Sequence, residues 1–204
     1  ETPTNAPPPP PPDDDDELRF EEADEDAAAL VAAVDEAVRG AIGTLVDKVS
    51  RDAGIEPGEV DDVLWGSALQ QGTQAGNLAR QVALRAGCPI GTSGMTIDRQ
   101  CSSGLMAIAT AAKQIIVDGM DITVAGGQDN ISGLQQRYFE WVGRERDPNV
   151  IAHASEAYMP MLQTAEFVAK KYGISREAQD RYGAQSQQRA ARGLETGAFA
   201  EEIA

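Results

Sequence analysis

Residues 96–105 read TIDRQCSSGL, and this stretch joins a predicted strand to a predicted helix. The strand is short and covers residues 95–98, and the helix covers residues 102–117. One apolar face of the helix is expected to hold residues that recur at helical spacing: Leu105, Ile108, Ala111, Ala112, Ile115 and Ile116. Cys101 therefore lies at the junction, in the position of a nucleophile carried on a strand-to-helix turn.

The junction gives Cys101 the features of a reactive thiol. A cysteine at a helix N-terminus faces the positive end of the macrodipole and free backbone N–H groups, which favours its thiolate. The same N–H groups can stabilise the oxyanion that forms when a thiolate attacks a thioester. Ser102, Ser103 and Gly104 are small and leave room for a substrate. Spacing alone leaves open the alternative of a buried structural cysteine.

Outward from this junction, predicted strands alternate with predicted helices. Strands are predicted at residues 60–66 and 122–125, and the second closes on Gly126 and Gly127, which are expected to form a tight turn rather than a phosphate-binding loop. Helices are predicted at residues 27–39, 42–53, 77–86, 164–172 and 175–193, with Ser175 as an N-cap, while residues 133–160 are expected to be irregular. Short strands alternating with helices indicate an α/β fold.

The acidity of the chain is concentrated near its start. Residues 1–40 carry 13 acidic and 2 basic side chains, in a chain of 204 residues with a formal net charge of −16. Within that segment, residues 1–26 join a proline run to an aspartate run, a composition that predicts disorder. Net negative charge argues against a protein that binds nucleic acid, which needs a basic face.

Cysteine content and hydropathy favour a cytoplasmic protein with free thiols. Two cysteines in 204 residues do not make a disulfide scaffold. No apolar run approaches the ~20 residues of a membrane span, and the first residues do not resemble a signal peptide. We therefore expect no membrane partner.

Residues 98–108, DRQCSSGLMAI, resemble the nucleophile motif of thiolases. Other segments resemble the family in the same order: 60–66 (VDDVLWG), 77–80 (NLAR) with 87–89 (GCP), 126–132 (GGQDNIS), 161–169 (MLQTAEFVA) and 174–190. Asp129 stands in the Glu place of the family's Gly-Gly-x-Glu-Ser-x-Ser loop. The resemblance implies the thiolase-like α/β fold, layered helix–sheet–helix, with the N-terminal half only. Residues 41–204 would be that partial N-terminal domain, with the loop domain starting at about 133–165.

The resemblance also implies a function, that of an acyl-CoA C-acyltransferase. In thiolases the cysteine matching Cys101 takes an acyl group from acyl-CoA as a thioester, and the acyl-enzyme then serves Claisen condensation or thiolysis. The resemblance makes the backbone N–H of Cys101 an oxyanion donor and Met161 a residue of the acyl pocket. It implies acyl-CoA and coenzyme A as substrates, no permanently bound cofactor, no metal, and a homo-oligomer in the complete enzyme.

Two departures from the family pattern bear on this function. The family's first strand, with its Arg-Thr-Pro signature, is absent, so residues 1–40 are expected to be a disordered or non-native segment. The family's Gly-His-Pro motif and second catalytic cysteine are absent as well, and both belong to its second half. We therefore expect an incomplete chain that is inactive alone.

Several alternatives stand beside this interpretation. A non-catalytic thiolase-like fragment or scaffold module is the alternative function, and a ketoacyl synthase shares the fold but not the DRQCSSG motif. His153 is expected to be a surface loop residue rather than a base, and Cys88 a small buried residue rather than a second catalytic cysteine. Asp98 and Arg99 either pair to fix the turn or simply end the strand.

Overall fold

The structure is a computed structural model that describes Gly40, Val46, Lys48 and residues 50–202. The disorder predicted for residues 1–26, the non-native segment 1–40 apart from Gly40, and the helix predicted at 27–39 lie outside the described residues. Of the helix predicted at 42–53, the described positions 46, 48 and 50–52 are helical. Gly54 follows with a positive φ of 69°, as a helix-terminating glycine requires.

In the described part of the chain, three parallel strands form one sheet. They are β1 (Asp62–Gly66), β2 (Ser93–Ile97) and β3 (Thr123–Gly127), in the order β2-β1-β3. β1 is the central strand and is buried along its whole length, as a strand covered on both faces must be. The three strand predictions are confirmed to within two residues at each end.

Two helices cover the opposite faces of this sheet. Helix α1 (Leu78–Arg85) packs on the face that carries Val63 and Trp65, and its buried residues are Leu78, Ala79, Val82 and Ala83. Helix α2 (Ser103–Lys113) packs on the other face, where Ala107 and Ala111 contact Leu64. Neighbouring residues of a strand point to opposite faces, so β1 holds both layers. This is the predicted helix–sheet–helix arrangement.

Of the apolar face predicted for α2, Ala111 is buried as predicted, and the rest of the prediction is wrong. Ala107 and Ala111 face the sheet together with Ser103 and Gln114, whereas Leu105, Ile108, Ile115 and Ile116 are exposed. The helix approaches the sheet too closely for large side chains, so its small residues are the buried ones. The α-helix also ends at Lys113 and continues as a π-helical turn, Gln114–Asp118, before Gly119 ends it with a φ of 75°.

Four helices follow β3, and two of them lie where irregular chain was predicted. They are α3 (Ile131–Arg144), α4 (Pro148–His153), α5 (Met161–Tyr172) and α6 (Arg176–Glu195). The prediction of irregular structure for residues 133–160 is therefore wrong. Asn130 caps α3 by accepting a hydrogen bond from Gly133 N at 3.0 Å, and Asp147 caps α4 at Asn149 N and Val150 N. The predicted N-cap of α6, Ser175, is confirmed: its Oγ accepts from Ala178 N at 3.3 Å.

Candidate active site

A cleft opens where the carboxyl ends of the three strands meet. Because the strands are parallel, their last residues lie at one edge of the sheet, the usual place for a ligand in an open α/β sheet. The cleft has a volume of about 300 Å³. Its lining comes from the end of β1, the turn after β2, the first half of α2, and the end of β3 with the two residues that follow it: Gly66, Gln100, Cys101, Ser103, Gly104, Ile108, Gly126, Gly127, Gln128 and Asp129.

Cys101 is exposed in this cleft, two residues before the first residue of α2. The preceding residue, Gln100, has a φ of 49°, in the left-handed region that a side chain rarely adopts. Such backbone strain persists only where the surroundings hold it, and it is concentrated at functional sites. The structure thus places Cys101 on a sharp strand-to-helix turn, as predicted.

Local hydrogen bonds hold the strained turn. Asp98 Oδ1 accepts from Gln100 N at 2.8 Å. Ser103 Oγ accepts from Arg99 N at 2.8 Å and donates to Gln100 O at 2.6 Å. Within the described residues no ion pair joins Asp98 to Arg99, so the proposed pairing is wrong. Asp98 fixes the turn through the backbone instead.

Two glycines allow the start of α2 to approach the strands. A Cβ added to Gly66 would lie 2.3 Å from the carbonyl carbon of Ser103, and one added to Gly127 would lie 3.2 Å from Gly104 Cα. Gly126 and Gly127 are the last residues of β3, so the tight turn predicted there is wrong. The absence of a side chain at Gly126 lets the ring of Trp65 pack against β3, because a Cβ on Gly126 would lie 2.6 Å from that ring.

Asp129 binds the loop that follows β1. Its Oδ1 accepts from Ser67 Oγ at 2.9 Å and from Leu69 N at 2.9 Å, and both carboxylate oxygens lie 3.1 Å from Ala68 N. The buried Gln74 adds a second connection, donating to Leu69 O at 2.7 Å. Sequence analysis missed Ser67 and Gln74 as site residues, since loop residues 55 to 62 positions from Asp129 carry no periodic signal.

Cys88 lies outside the cleft lining and is buried in the core cluster beside α1. Burial raises the pKa of the Cys88 thiol, and the nearby Arg80 offsets only part of this effect. A thiol held neutral in the core is a poor nucleophile. The prediction of a small buried residue is confirmed.

Two other predicted positions lie outside the cleft lining. His153 is exposed, as predicted, but ends the short helix α4 rather than lying in a loop. Met161 is the first residue of α5 and is 75% exposed. No imidazole lines the cleft among the described residues. The role of Met161 in an acyl pocket therefore stays a prediction.

Two kinds of feature are absent from the described residues. No helix there combines the length and apolar character needed to cross a membrane. No group of three or more His, Cys, Asp or Glu side chains in the same part of the chain could hold a metal ion.

The family model described as Thiolase, N-terminal domain matches residues 36–204. The chain belongs to the thiolase family. Among the thiolases similar to it is a 3-ketoacyl-CoA thiolase of Bacillus subtilis (strain 168), 37% identical over 181 residues, with 83% of this chain and 45% of that protein covered. An acetyl-CoA acetyltransferase of Cupriavidus necator is 37% identical over 172 residues, covering 79% of this chain and 44% of that protein.

A solved structure shows the same thiolase fold. The crystal structure of the Bacillus anthracis acetyl-CoA acetyltransferase matches with a TM-score of 0.66 and 32% identity, covering 82% of this chain and 44% of that chain. The chain thus spans a little under half the length of the thiolases that it matches, and the part matched is the N-terminal one.

Proposed function

We propose that this chain carries the acyl-accepting nucleophile of an acyl-CoA C-acyltransferase, with Cys101 as the residue that forms the thioester. The single observation that carries the proposal is the exposed Cys101 on a strained turn at the mouth of the cleft. The relatives named 3-ketoacyl-CoA thiolase and acetyl-CoA acetyltransferase supply the substrate class, an acyl group on coenzyme A.

The proposed step is a transfer of the acyl group from one sulfur to another. The Cys101 thiolate attacks the thioester carbonyl carbon of acyl-CoA, and a bond forms from Sγ to that carbon. The tetrahedral oxyanion collapses, the bond from carbon to the CoA sulfur breaks, and the CoA thiolate leaves with the electron pair. The backbone N–H of Cys101 is the proposed oxyanion donor, since the next two, Ser102 N and Ser103 N, already donate to Arg99 O at 3.1 Å and to Gln100 O at 3.0 Å.

In the complete reaction the acyl-enzyme would meet a second substrate. In condensation, the carbanion of a second acyl-CoA attacks the Cys101 thioester and releases the cysteine thiolate, and thiolysis is the reverse of these steps. Acyl-CoA and CoA are then the substrates, with no permanently bound cofactor, and Met161 would line the acyl pocket. The loop domain starting at about residues 133–165 and a homo-oligomer belong to the same proposal.

A non-catalytic thiolase-like module is the competing function. One observation favours it: no imidazole lines the cleft in the described part of the chain. Proton transfer to and from the second substrate needs a positioned acid–base group. The two functions differ at the first step, because a scaffold module has no need of a Cys101 that accepts an acyl group.

The test is the formation of the acyl-enzyme. The chain is incubated with acetyl-CoA, digested and analysed by mass spectrometry, with Cys101→Ser and Cys88→Ser as matched variants. We expect one acetyl group on Cys101 in the unaltered chain and in Cys88→Ser, and none in Cys101→Ser. A folded chain that stays unmodified, or that carries acetyl groups equally at both cysteines, would reject the proposal.

A further inference from the structure

The wall of the cleft formed by residues 127–129 is held by three separate groups of hydrogen bonds. Gln128 N donates to Gly66 O at 3.0 Å, which continues the pairing of β3 with β1. The Asp129 carboxylate accepts from the loop at residues 67–69. Asn130 N donates to Gln74 Oε1 at 2.9 Å. Gln128 and Asp129 also line the cleft into which Cys101 opens, so these bonds determine where the wall lies relative to the sulfur.

The Asp129 carboxylate is the centre of this arrangement. Two consecutive backbone N–H groups, Ala68 and Leu69, and the Ser67 hydroxyl all donate to it. Ser67 is fully buried and Leu69 is 6% exposed, so neither can turn to water for a replacement. Hydrogen bonds to an ionised acceptor are roughly twice as strong as neutral ones, and buried donors that lose their acceptor are costly.

The Gln74 side chain also connects the loop after β1 with the loop after β3. Its side chain is 2% exposed, donates to Leu69 O and accepts from Asn130 N. Its Nε2 also lies 3.4 Å from Asp129 Oδ1. The loop after β1 and the loop after β3 are therefore joined through the side chains of Asp129 and Gln74.

We propose that Asp129 is a positioning residue for acyl transfer to Cys101, because its carboxylate fixes the wall of the cleft against which a bound thioester would lie. This rests on the proposed acyl transfer at Cys101. Asp129 stands in the Glu place of the family's loop, so glutamate is the conservative replacement at this position. The residue acts through the geometry of the cleft and does not exchange protons with the substrate.

Asp61 provides a matched control at the opposite end of the sheet. Its Oδ2 accepts from Asp121 N at 2.9 Å and from Ile122 N at 3.1 Å, so it too receives two consecutive backbone N–H groups. It precedes β1, whereas the cleft lies beyond the other end of that strand. Asp61→Ala therefore removes a similar set of hydrogen bonds without touching the wall of the cleft.

The experiment measures two rates at Cys101 by mass spectrometry in the folded chain: transfer of acetyl from acetyl-CoA and alkylation by iodoacetamide. An unfolded chain is still alkylated but transfers no acetyl group, so the two rates are compared only for variants whose circular dichroism and urea midpoint show that they are folded under the assay conditions. A displaced wall slows the thioester reaction, which needs a bound and oriented substrate, and spares alkylation by a small reagent. The ratio of the two rates is therefore the readout of positioning.

We expect Asp129→Ala to lower that ratio by at least about tenfold, since a misplacement of about 1 Å can cost on the order of 10²-fold. Asp129→Glu, which keeps the charge and both acceptor oxygens, should recover most of the loss. Asp61→Ala should leave the ratio unchanged. If Asp129→Ala does not fold, Asp129→Asn takes its place, since it keeps the side-chain volume and loses the charge. An unchanged ratio in the folded Asp129 variant, or an equal loss in Asp61→Ala, would overturn the proposal.

A second readout separates this inference from the acyl-transfer proposal. If the unaltered chain accepts no acetyl group, the acyl-transfer proposal fails, and positioning is then judged on amide exchange and on alkylation by reagents of different size. Removal of the Asp129 carboxylate should abolish protection of the Ala68 and Leu69 amides and change the ratio of N-ethylmaleimide to iodoacetamide labelling at Cys101. If the amide protection and the labelling ratio of the variant both match those of the unaltered chain, the positioning role is rejected.

Discussion

Gly66, the last residue of β1, lies so close to the first residue of α2 that a Cβ on it would stand 2.3 Å from the carbonyl carbon of Ser103. The same Cβ would also approach Gly104 N at 2.4 Å. Both neighbours are backbone atoms, which cannot rotate away as a flexible side chain can. The turn that carries Cys101 therefore leads directly into a helix start that packs against the end of the central strand.

The first prediction follows from this contact. Gly66→Ala should lower the free energy of unfolding by about 3 kcal/mol, at the upper end of the usual cost of overpacking, because the helix and strand must separate. Gly104→Ala is the matched control: nothing lies within 4 Å of a Cβ built there, and its φ is ordinary. Alanine in a helix is favoured over glycine, so this control should gain roughly 0.5–1 kcal/mol. Urea unfolding followed by circular dichroism measures the free energy of unfolding of both variants. Equal changes in the two variants would contradict the packing argument.

The second prediction concerns the two thiols. Iodoacetamide should alkylate Cys101 faster than Cys88 in the folded chain, because Cys101 is exposed and Cys88 is 7% exposed. Burial raises the Cys88 pKa, so its thiolate is scarce near neutral pH and its labelling should rise only above the usual range for a thiol. Mass spectrometry of samples labelled at a series of pH values, from neutral to above the usual pKa range of a thiol, measures both sites. Circular dichroism must first show ordered helix, since an unfolded chain labels both cysteines alike.

The third prediction concerns turnover. The chain alone should not cleave acetoacetyl-CoA with CoA, even if Cys101 accepts an acyl group as proposed. A missing general acid–base group costs on the order of 10²–10⁴ in rate, and a missing oxyanion donor costs about 10²–10³ more. No imidazole lines the cleft among the described residues, and a helix dipole cannot shuttle protons. The assay follows acetoacetyl-CoA absorbance with Cys101→Ser as control. Turnover that disappears in this control would mean that another group acts as the base.

The fourth prediction concerns the exposed face of α2. Leu105 is 72% exposed and Ile116 is 79% exposed, so the helix and its π-helical turn present large apolar side chains to solvent. Exposed apolar patches drive association. Leu105→Lys with Ile116→Lys should reduce self-association in sedimentation velocity without lowering the urea midpoint. Ala107→Lys is the contrasting variant, since Ala107 is 0% exposed against Leu64 and a charge there should unfold the domain. Unchanged association in the double variant would show that this face does not mediate it.

The sequence by itself determined the order of the three strands and of the two helices that cover them, and the position of Cys101 on the turn between a strand and a helix. Strands, helix ends and the turn at Cys101 depend on neighbours within a few positions: the N-cap Ser175, the glycine after a helix, the run of small residues after Cys101. Because these signals are local, they can be recognised in the sequence without knowledge of the fold. Helix α3 was missed because its buried contact is limited to Leu134 and its polar residues resemble those of a loop.

Only the tertiary structure decided which side of α2 is buried and what holds the cleft. A large apolar residue indicates burial in general, but the distance between α2 and the sheet selected Ala107 and Ala111 over Leu105 and Ile108. That distance follows from Gly66 and Gly127, which belong to two other elements. In the same way, Asp129 meets Ser67 across 62 positions of sequence. Neither relationship has a periodic signal, because parallel strands bring their ends together only after the chain has crossed the sheet through its helices.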